Sequence, residues 1–340
     1  MRPFTLAEIA DIVAGRLHGA DPLRIVRGPV VLDSRAVVPG ALFAAFDGAE
    51  VDGHDFAAPA VAAGAVAVLA SRPVPVPAVL VPDVAAALAR LAHRNLTDDG
   101  PLVVGITGSF GKTTTKDLLA AILEPGAPTT ATDGSLNNEL GVPLTVLRAD
   151  ETTRYLVLEM GAARAGDLRY LTTIARPRIG IVLAVGNAHV ETFVAGAGAP
   201  VGSQAAVARD PLSLVAEAKA ELVEALPAAS AGGVAILNAD DPRVAAMAVR
   251  TAADIVLFGR DPKAVIRAVD ERMEQGRPAF TLLTPDGGAD VQLSLIGAHQ
   301  IHNALAAAAA GWVLGVGPER IAEALSAAGP RSRWPPLTGS

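Results

Sequence analysis

A chain of 340 residues is long enough for two or three domains, and with 51% hydrophobic residues and a mean hydropathy of +0.39 it can build sizeable cores. A formal charge of −7 argues against a nucleic-acid partner. The absence of cysteine excludes disulfides and thiolate metal sites and reads as a cytoplasmic protein. Apolar runs near 57–70 and 304–316 are short of a membrane span and broken by glycine, so no membrane insertion is expected. Four of the 28 basic residues are lysine (Lys112, Lys116, Lys219 and Lys263) and the other twenty-four are arginine. Where a plain surface cation suffices this chain uses Arg, so a lysine points to a place that Arg cannot fill. Lys263, in G-R-D-P-K, reads as solvated.

Taken in order, residues 5–13 (T-L-A-E-I-A-D-I-V) carry an amphipathic helix pattern rather than a signal peptide. Residues 1–96 read as a small α/β domain. In 30–56, two strand-like runs flank Pro39-Gly40, with Asp33, Ser34 and Arg35 at the end of the first. That polar cluster suits a sugar or a pyrophosphate; an ordinary polar turn is the other reading. A helix (57–64), a strand (65–70), a proline-rich loop (73–77), a strand (78–81) and a helix (84–95) lead to a boundary at T-D-D-G-P, 97–101.

The chain is organised around V-V-G-I-T-G-S-F-G-K-T-T-T-K-D, 103–117. An apolar strand (102–106) runs into a loop with Gly108 and Gly111. Lys112 and Thr113 then open a helix that continues through Leu118, Leu119 and Ile122. Strand, glycine turn and helix N-terminus together form a phosphate cradle. Lys112 would reach the terminal phosphates, and the Thr113 hydroxyl would hold Mg²⁺. The strict Walker spacing is not met; the loop is a T-G-x-x-G-K-T variant. Lys116 lies one helical turn further on.

From 97 to 329 strand and helix patterns alternate. Candidate strands are 102–106, 155–159, 179–184, 233–237 and 254–258, which predicts a P-loop-type domain with a mainly parallel sheet flanked by helices. In such sheets chemistry gathers beyond the carboxyl ends of the strands. Glu159, Asn187, His189, Glu191, Asn238 and Asp240 fall there, and a helix near 301–314 follows His299. Thr113 and Glu159 offer the hard oxygens that Mg²⁺ takes, with waters retained. His189 would be an unusual Mg²⁺ ligand, and a satisfied polar residue is its other reading. Asn137 and Asn138, at the expected start of a helix, suit either a ligand or a cap. Lys219, in S-L-V-A-E-A-K-A-E-L, reads either as an exposed lysine paired with Glu221 or Glu224, or as a neutral amine. A neutral amine can add CO₂ to give an anionic carbamate, which a guanidinium cannot.

These residues together resemble the Mur ligase family of ATP-dependent amide ligases. The marks are T-G-S-F-G-K-T-T-T at 107–115, E-M-G at 159–161, N-A-H at 187–189, A-K at 218–219, L-N-A-D-D-P at 237–242 and G-A-H-Q-I-H-N-A-L-A-A at 297–307. The resemblance implies ATP and Mg²⁺ as cofactors. It implies that Gly108, Ser109, Gly111, Lys112, Thr113, Thr114 and Asn138 bind phosphate, with Asn238, His299 and Asn303 around the adenine. Thr113, Glu159 and His189 would hold metal, and Lys112, Lys219 (as a carbamate) and His189 would serve catalysis. Ser34 and Arg35 would bind the uridine diphosphate of the precursor.

The implied partners are UDP-N-acetylmuramoyl-tripeptide and D-alanyl-D-alanine, joined through an acyl phosphate by a monomer. A sister ligase that adds the third peptide residue, and a binding module without turnover, are the alternatives. Gln300 replaces the family's usual Asn, and a Gly/Ala/Val-rich insertion occupies about 194–209. The family's third domain would begin near Pro330, where 330–340 read as a linker. The 340 residues alone are therefore expected to bind ATP and precursor but to form little amide.

Overall fold

The computed structural model describes residues 1–48, 51–96, 100–187, 191 and 210–329. His189, the insertion and the tail from Pro330 lie outside the described residues. The described chain forms two compact units. One comprises Met1–Pro101 and Glu139–Thr153; the other comprises Leu102–Asn138 and the chain from Arg154 onward.

In the first unit, β1 (Phe4–Thr5) pairs with β3 (Ile25–Val26), and α1 (Leu6–Val13) lies between them in sequence. The helix starts where expected because Thr5 and Glu8 form a reciprocal cap. A five-stranded sheet has the order β2 (Arg16–His18), β7 (Ala78–Leu80), β6 (Ala67–Ala70), β5 (Leu42–Ala44) and β4 (Val30–Val31). It is parallel except for β2. Helices α2 (Ala57–Ala62) and α3 (Val84–Asn95) complete the unit. This unit runs to Pro101 and also takes in residues 139–153, which the sequence reading left with the central domain. Asn95, 3% exposed at the end of α3, helps to hold them here. Its amide donates to Val146 O at 3.0 Å and Ala149 O at 2.9 Å, closing the last turn of the short helix Gly141–Val146. The helix expected to start at Asn137–Asn138 begins instead at Gly141, because the carbonyl and amide of Asn137 are engaged elsewhere.

The second unit holds the glycine loop with Gly108 and Gly111. Its elements are β8 (Leu102–Thr107), α4 (Lys112–Leu123), β9 (Thr129–Ala131), β10 (Tyr155–Glu159), α5 (Asp167–Ile174), β11 (Ile179–Val182) and α6 (Pro211–Glu224). β12 (Val234–Asn238), β13 (Asp254–Gly259), β14 (Ile266–Glu274), β15 (Arg277–Thr284), β16 (Gly287–Gln292), α7 (Gln300–Val313) and α8 (Pro318–Ala327) follow. Among the described residues the sheet order is β16-β15-β14-β13-β12-β11-β8-β10-β9, parallel from β9 to β14. β8 is buried on both faces, as its unbroken apolar run requires. The chain moves to one side of β8 for β9 and β10 and to the other for β11, so the strand order switches at the end of β8, where such sheets bind ligands.

Strands β9 and β14–β16 were not anticipated by the sequence reading. β14–β16 form an antiparallel meander. Its first turn is Gln275-Gly276, both with positive φ (53° and 78°), as a two-residue hairpin requires. The charged run D-E-R-M-E hides the strand pattern.

Helix α7, with a buried run from Ala304 to Ala310, lies against α4 in the main core. On α6, Glu221 is 6% exposed and accepts the amides of Gly166 (2.7 Å) and Arg169 (3.1 Å) at the start of α5. This cap fixes α6 and hence Lys219, two residues earlier and on the far side of the helix. Glu221→Ala should cost about 1–2 kcal/mol, read as a lower midpoint in urea with an unchanged slope. An unchanged midpoint would show that the cap does not hold α6.

Candidate active site

The loop after β8 turns on two glycines with positive φ, Gly108 (155°) and Gly111 (86°). A Cβ on Gly111 would collide with Oδ1 of Asn303 and force a left-handed conformation that L side chains avoid. Gly111→Ala is therefore expected to lower stability by about 1–3 kcal/mol and to open the loop. Thermal unfolding checks this; a melting temperature equal to that of the parent would contradict the close approach. Ser109 ties the loop to the next strand end. Its amide donates to Ala184 O at 2.9 Å, its hydroxyl donates to Gly186 O at 3.1 Å, and the Gly186 amide donates back at 2.8 Å.

Lys112 opens α4, and its ammonium donates back to Gly108 O at 3.1 Å. Burial pushes its pKa down, and the Glu159 carboxylate partly opposes this. Thr113 donates to Glu159 Oε2 at 2.8 Å, and the Asn137 amide donates to Oε1 at 2.6 Å. Glu159 is 1% exposed, so a buried carboxylate at the end of β10 faces the first turn of α4. One hydroxyl and one carboxylate fit Mg²⁺, which binds few protein ligands and keeps waters or phosphate oxygens. Among the described residues no group of three or more His, Cys, Asp or Glu could cage a metal.

Lys219 is 3% exposed, so the reading of an exposed, paired lysine is overturned. Its expected partners are taken: Glu221 caps α5, and Glu224 pairs with Arg250. Among the described residues no ion pair reaches Lys219. Burial first, and the charge of Lys112 second, lower its pKa to about 7. An amine in that position is substantially neutral near neutral pH.

Beside the loop lies a cleft of about 660 Å³, lined by Phe110, Gly111, Thr114, Asn238, His299 and Asn303 among others. That volume is within the range for small-molecule sites. Both polar ends of the Asn238 side chain are already bonded to backbone, to Leu183 O (2.8 Å) and the Asp240 amide (3.0 Å). Asn303, 7% exposed, donates to Gln300 Oε1 at 2.8 Å. His299 stands exposed at the start of α7. On the rim the sequence reading named Asp240 but not its neighbours His302, Arg260 and Glu271. His302 Nε2 lies 2.8 Å from Asp240 Oδ2, and Arg260 bridges His302 and Glu271. The spacing of His299, His302 and Asn303 at i, i+3 and i+4 was the available signal.

Of the remaining expected residues, Asn138 is exposed, and its neighbour Asn137 is the one on Glu159. Ser34, half-buried, and Arg35, exposed, open a short turn in the first unit. There the Arg35 guanidinium grips Asp33 at 2.7–3.1 Å and holds its carboxyl down at about 2.

Comparison with known proteins agrees with this geometry. Residues 106–196 and 211–311 match the Mur ligase middle domain, and residues 29–96 match the Mur ligase family, catalytic domain. The UDP-N-acetylmuramoyl-tripeptide–D-alanyl-D-alanine ligase of Mycobacterium tuberculosis is 45% identical over 98% of this chain and 67% of its own. MurF from Acinetobacter baumannii superposes with a TM-score of 0.80 at 31% identity, over 96% of this chain and 69% of that one. The MurF ligase of Thermotoga maritima, solved in complex with ADP, gives 0.71 at 29% identity, over 89% and 66%. The chain thus spans about two thirds of the length of these relatives. With a glycine loop, a Thr113–Glu159 pair and matches in both units, the chain belongs to the Mur ligase family.

Proposed function

We propose that this protein is an ATP-dependent amide ligase that joins D-alanyl-D-alanine to UDP-N-acetylmuramoyl-tripeptide in the cytoplasm. The observation that carries the reading is the junction of Lys112, Thr113 and Glu159 at the ends of β8 and β10. It is supported by the names of relatives that match nearly the whole chain.

In the first step a terminal carboxylate oxygen of the tripeptide attacks the γ-phosphorus of ATP, and the bond to ADP breaks. The amine of the dipeptide then attacks the acyl carbon, phosphate leaves, and the nitrogen gives up a proton. The loop amides and the α4 N-terminus bind the phosphates. Lys112 moves from Gly108 O to the transferring phosphoryl group and stabilises its charge. Thr113 and Glu159 would hold Mg²⁺, which when bound neutralises charge on the phosphate oxygens. Lys219, as a carbamate, would add a second anion beside Lys112. The cleft beside Phe110 and His299 takes the adenine, and Ser34 and Arg35 take the uridine diphosphate.

The first half-reaction gives the cleanest test. ADP release should require the UDP-linked tripeptide, and hydroxylamine should trap the acyl phosphate as a hydroxamate. ADP release independent of precursor, without hydroxamate, would overturn the reading. Release that follows the dipeptide precursor instead would assign the protein to the preceding ligation.

A further inference from the structure

Lys116 is not used by the mechanism above, yet it is 2% exposed and among the largest fully buried side chains. Its ammonium lies 2.6 Å from Thr132 O, 3.2 Å from Gly134 O and 2.9 Å from Asp117 Oδ1. Three oxygens around one nitrogen match the three donors of an ammonium; a planar guanidinium would present its donors in a fork. This accounts for a lysine here in a chain that otherwise favours arginine.

The two carbonyls belong to the loop that leads to Asn137. That loop is fastened to β10: the Thr132 amide donates to Val157 O at 3.1 Å, and Thr132 Oγ1 accepts from the Glu159 amide at 3.0 Å. The Gly161 amide donates to Asn137 O at 2.8 Å. Lys116 and Thr113 are three residues apart on α4, so they leave the helix on one face. One of them holds Glu159 directly, and the other holds the loop whose Asn137 grips the second carboxylate oxygen.

We propose that Lys116 is a positioning residue for the metal-side carboxylate. It fixes the distance between α4 and the 132–137 loop, so that Thr113 and Asn137 together set the rotation of the Glu159 carboxylate. Its link to metal binding rests on the nucleotide-site reading above; its effect on the loop does not.

The test has two arms. In ligand-free protein, Lys116→Met should raise hydrogen exchange at the Glu159 and Gly161 amides at least about tenfold, because both donate to the loop. The Met160 amide, which donates to Ile106 O in the sheet, should change far less. In the second arm, the Mn²⁺ concentration that half-saturates binding of a non-hydrolysable ATP analogue should rise about tenfold. Metal-free ADP affinity should stay within about threefold of the parent.

Unchanged exchange at Glu159 and Gly161 would overturn the proposal, as would equal losses with and without metal, the mark of a purely structural lysine. If Lys116→Met does not fold, Asn137→Ala carries the second arm: the same rise supports the proposal and an unchanged midpoint defeats it. If the parent protein binds no metal–nucleotide complex, the proposed function fails, and the exchange arm still decides the role of Lys116.

Discussion

Lys112→Ala is expected to weaken ATP binding by about 100-fold or more while changing adenosine binding by less than about threefold. On the proposed reading the ammonium lies at the mouth of a loop whose amides and helix dipole favour negative charge, so it would act on phosphate and not on a base or a ribose. The lost energy should therefore scale with the phosphate charge of the ligand, with ADP between the two. Lys112 is also half of a cationic pair with Lys219, since its charge contributes to the low pKa there. Removing Lys112 should raise the pKa of Lys219 from about 7. Calorimetry with ATP, ADP and adenosine checks the main claim. Equal losses for all three would mean that the loop is a turn and not a phosphate cradle.

Lys219→Ala is expected to lower metal affinity and precursor-dependent ADP release by about 10- to 100-fold, with partial recovery on adding formate or acetate. The reasoning begins with burial. A lysine 3% exposed, beside another ammonium and without an ion pair among the described residues, is costly to keep charged. Near pH 7 about half of such amines are neutral, and a neutral amine can add CO₂ to become a carbamate anion next to Lys112. Short carboxylates replace that anion once the side chain is gone. Lys219→Arg should lose as much and recover less, because the guanidinium keeps a positive charge in the space.

The pH dependence has a definite sign. The folded pKa of about 7 lies below the ordinary lysine value of 10.5. Between these values the unfolded chain holds the proton and the folded chain does not, so this residue makes stability rise with pH through that window. Below about 7 both states are protonated and the full cost of burying the charge remains. Activity that depends on the carbamate should fall on the acid side, with its inflection near that value. Carbon-13 labelled CO₂ gives a direct readout. The absence of a carbamate resonance together with a Lys219→Ala variant equal to the parent would rule the idea out.

Much of the candidate site's geometry was legible because it is local. Gly108, Gly111, Lys112 and Thr113 follow one another, and an apolar strand followed by glycines and a helix start has few other uses. Glu159 was legible by position, as the polar residue that ends a buried strand. What sequence could not give is which neighbour completes a contact made across the sheet. Asn137 rather than Asn138 reaches Glu159, and the choice depends on the carbonyl of Asn137 being taken by Gly161. The burial of Lys116 and Lys219 was foreshadowed only by the scarcity of lysine; the carbonyls that hold Lys116 lie 16 and 18 residues along the chain, and the charge that acts on Lys219 is that of Lys112, on another helix. The meander β14–β16 was hidden because its outer strands carry charge on their exposed face. Residues 139–153 read as part of the central domain from their place in the chain; the packing of the helix Gly141–Val146 against α3 and the bonds of Asn95 to Val146 and Ala149 return them to the first unit.

The most direct test of the central claim is a crystal structure with a non-hydrolysable ATP analogue and Mn²⁺, using anomalous scattering to locate the metal. The account predicts the β- and γ-phosphates over the 108–113 amides and Lys112 turned from Gly108 O to the γ-phosphate. It also predicts a metal peak within coordination distance of Thr113 Oγ1 and the Glu159 carboxylate. Nucleotide bound elsewhere, or a metal peak away from Glu159 with Lys112 still on Gly108 O, would contradict it.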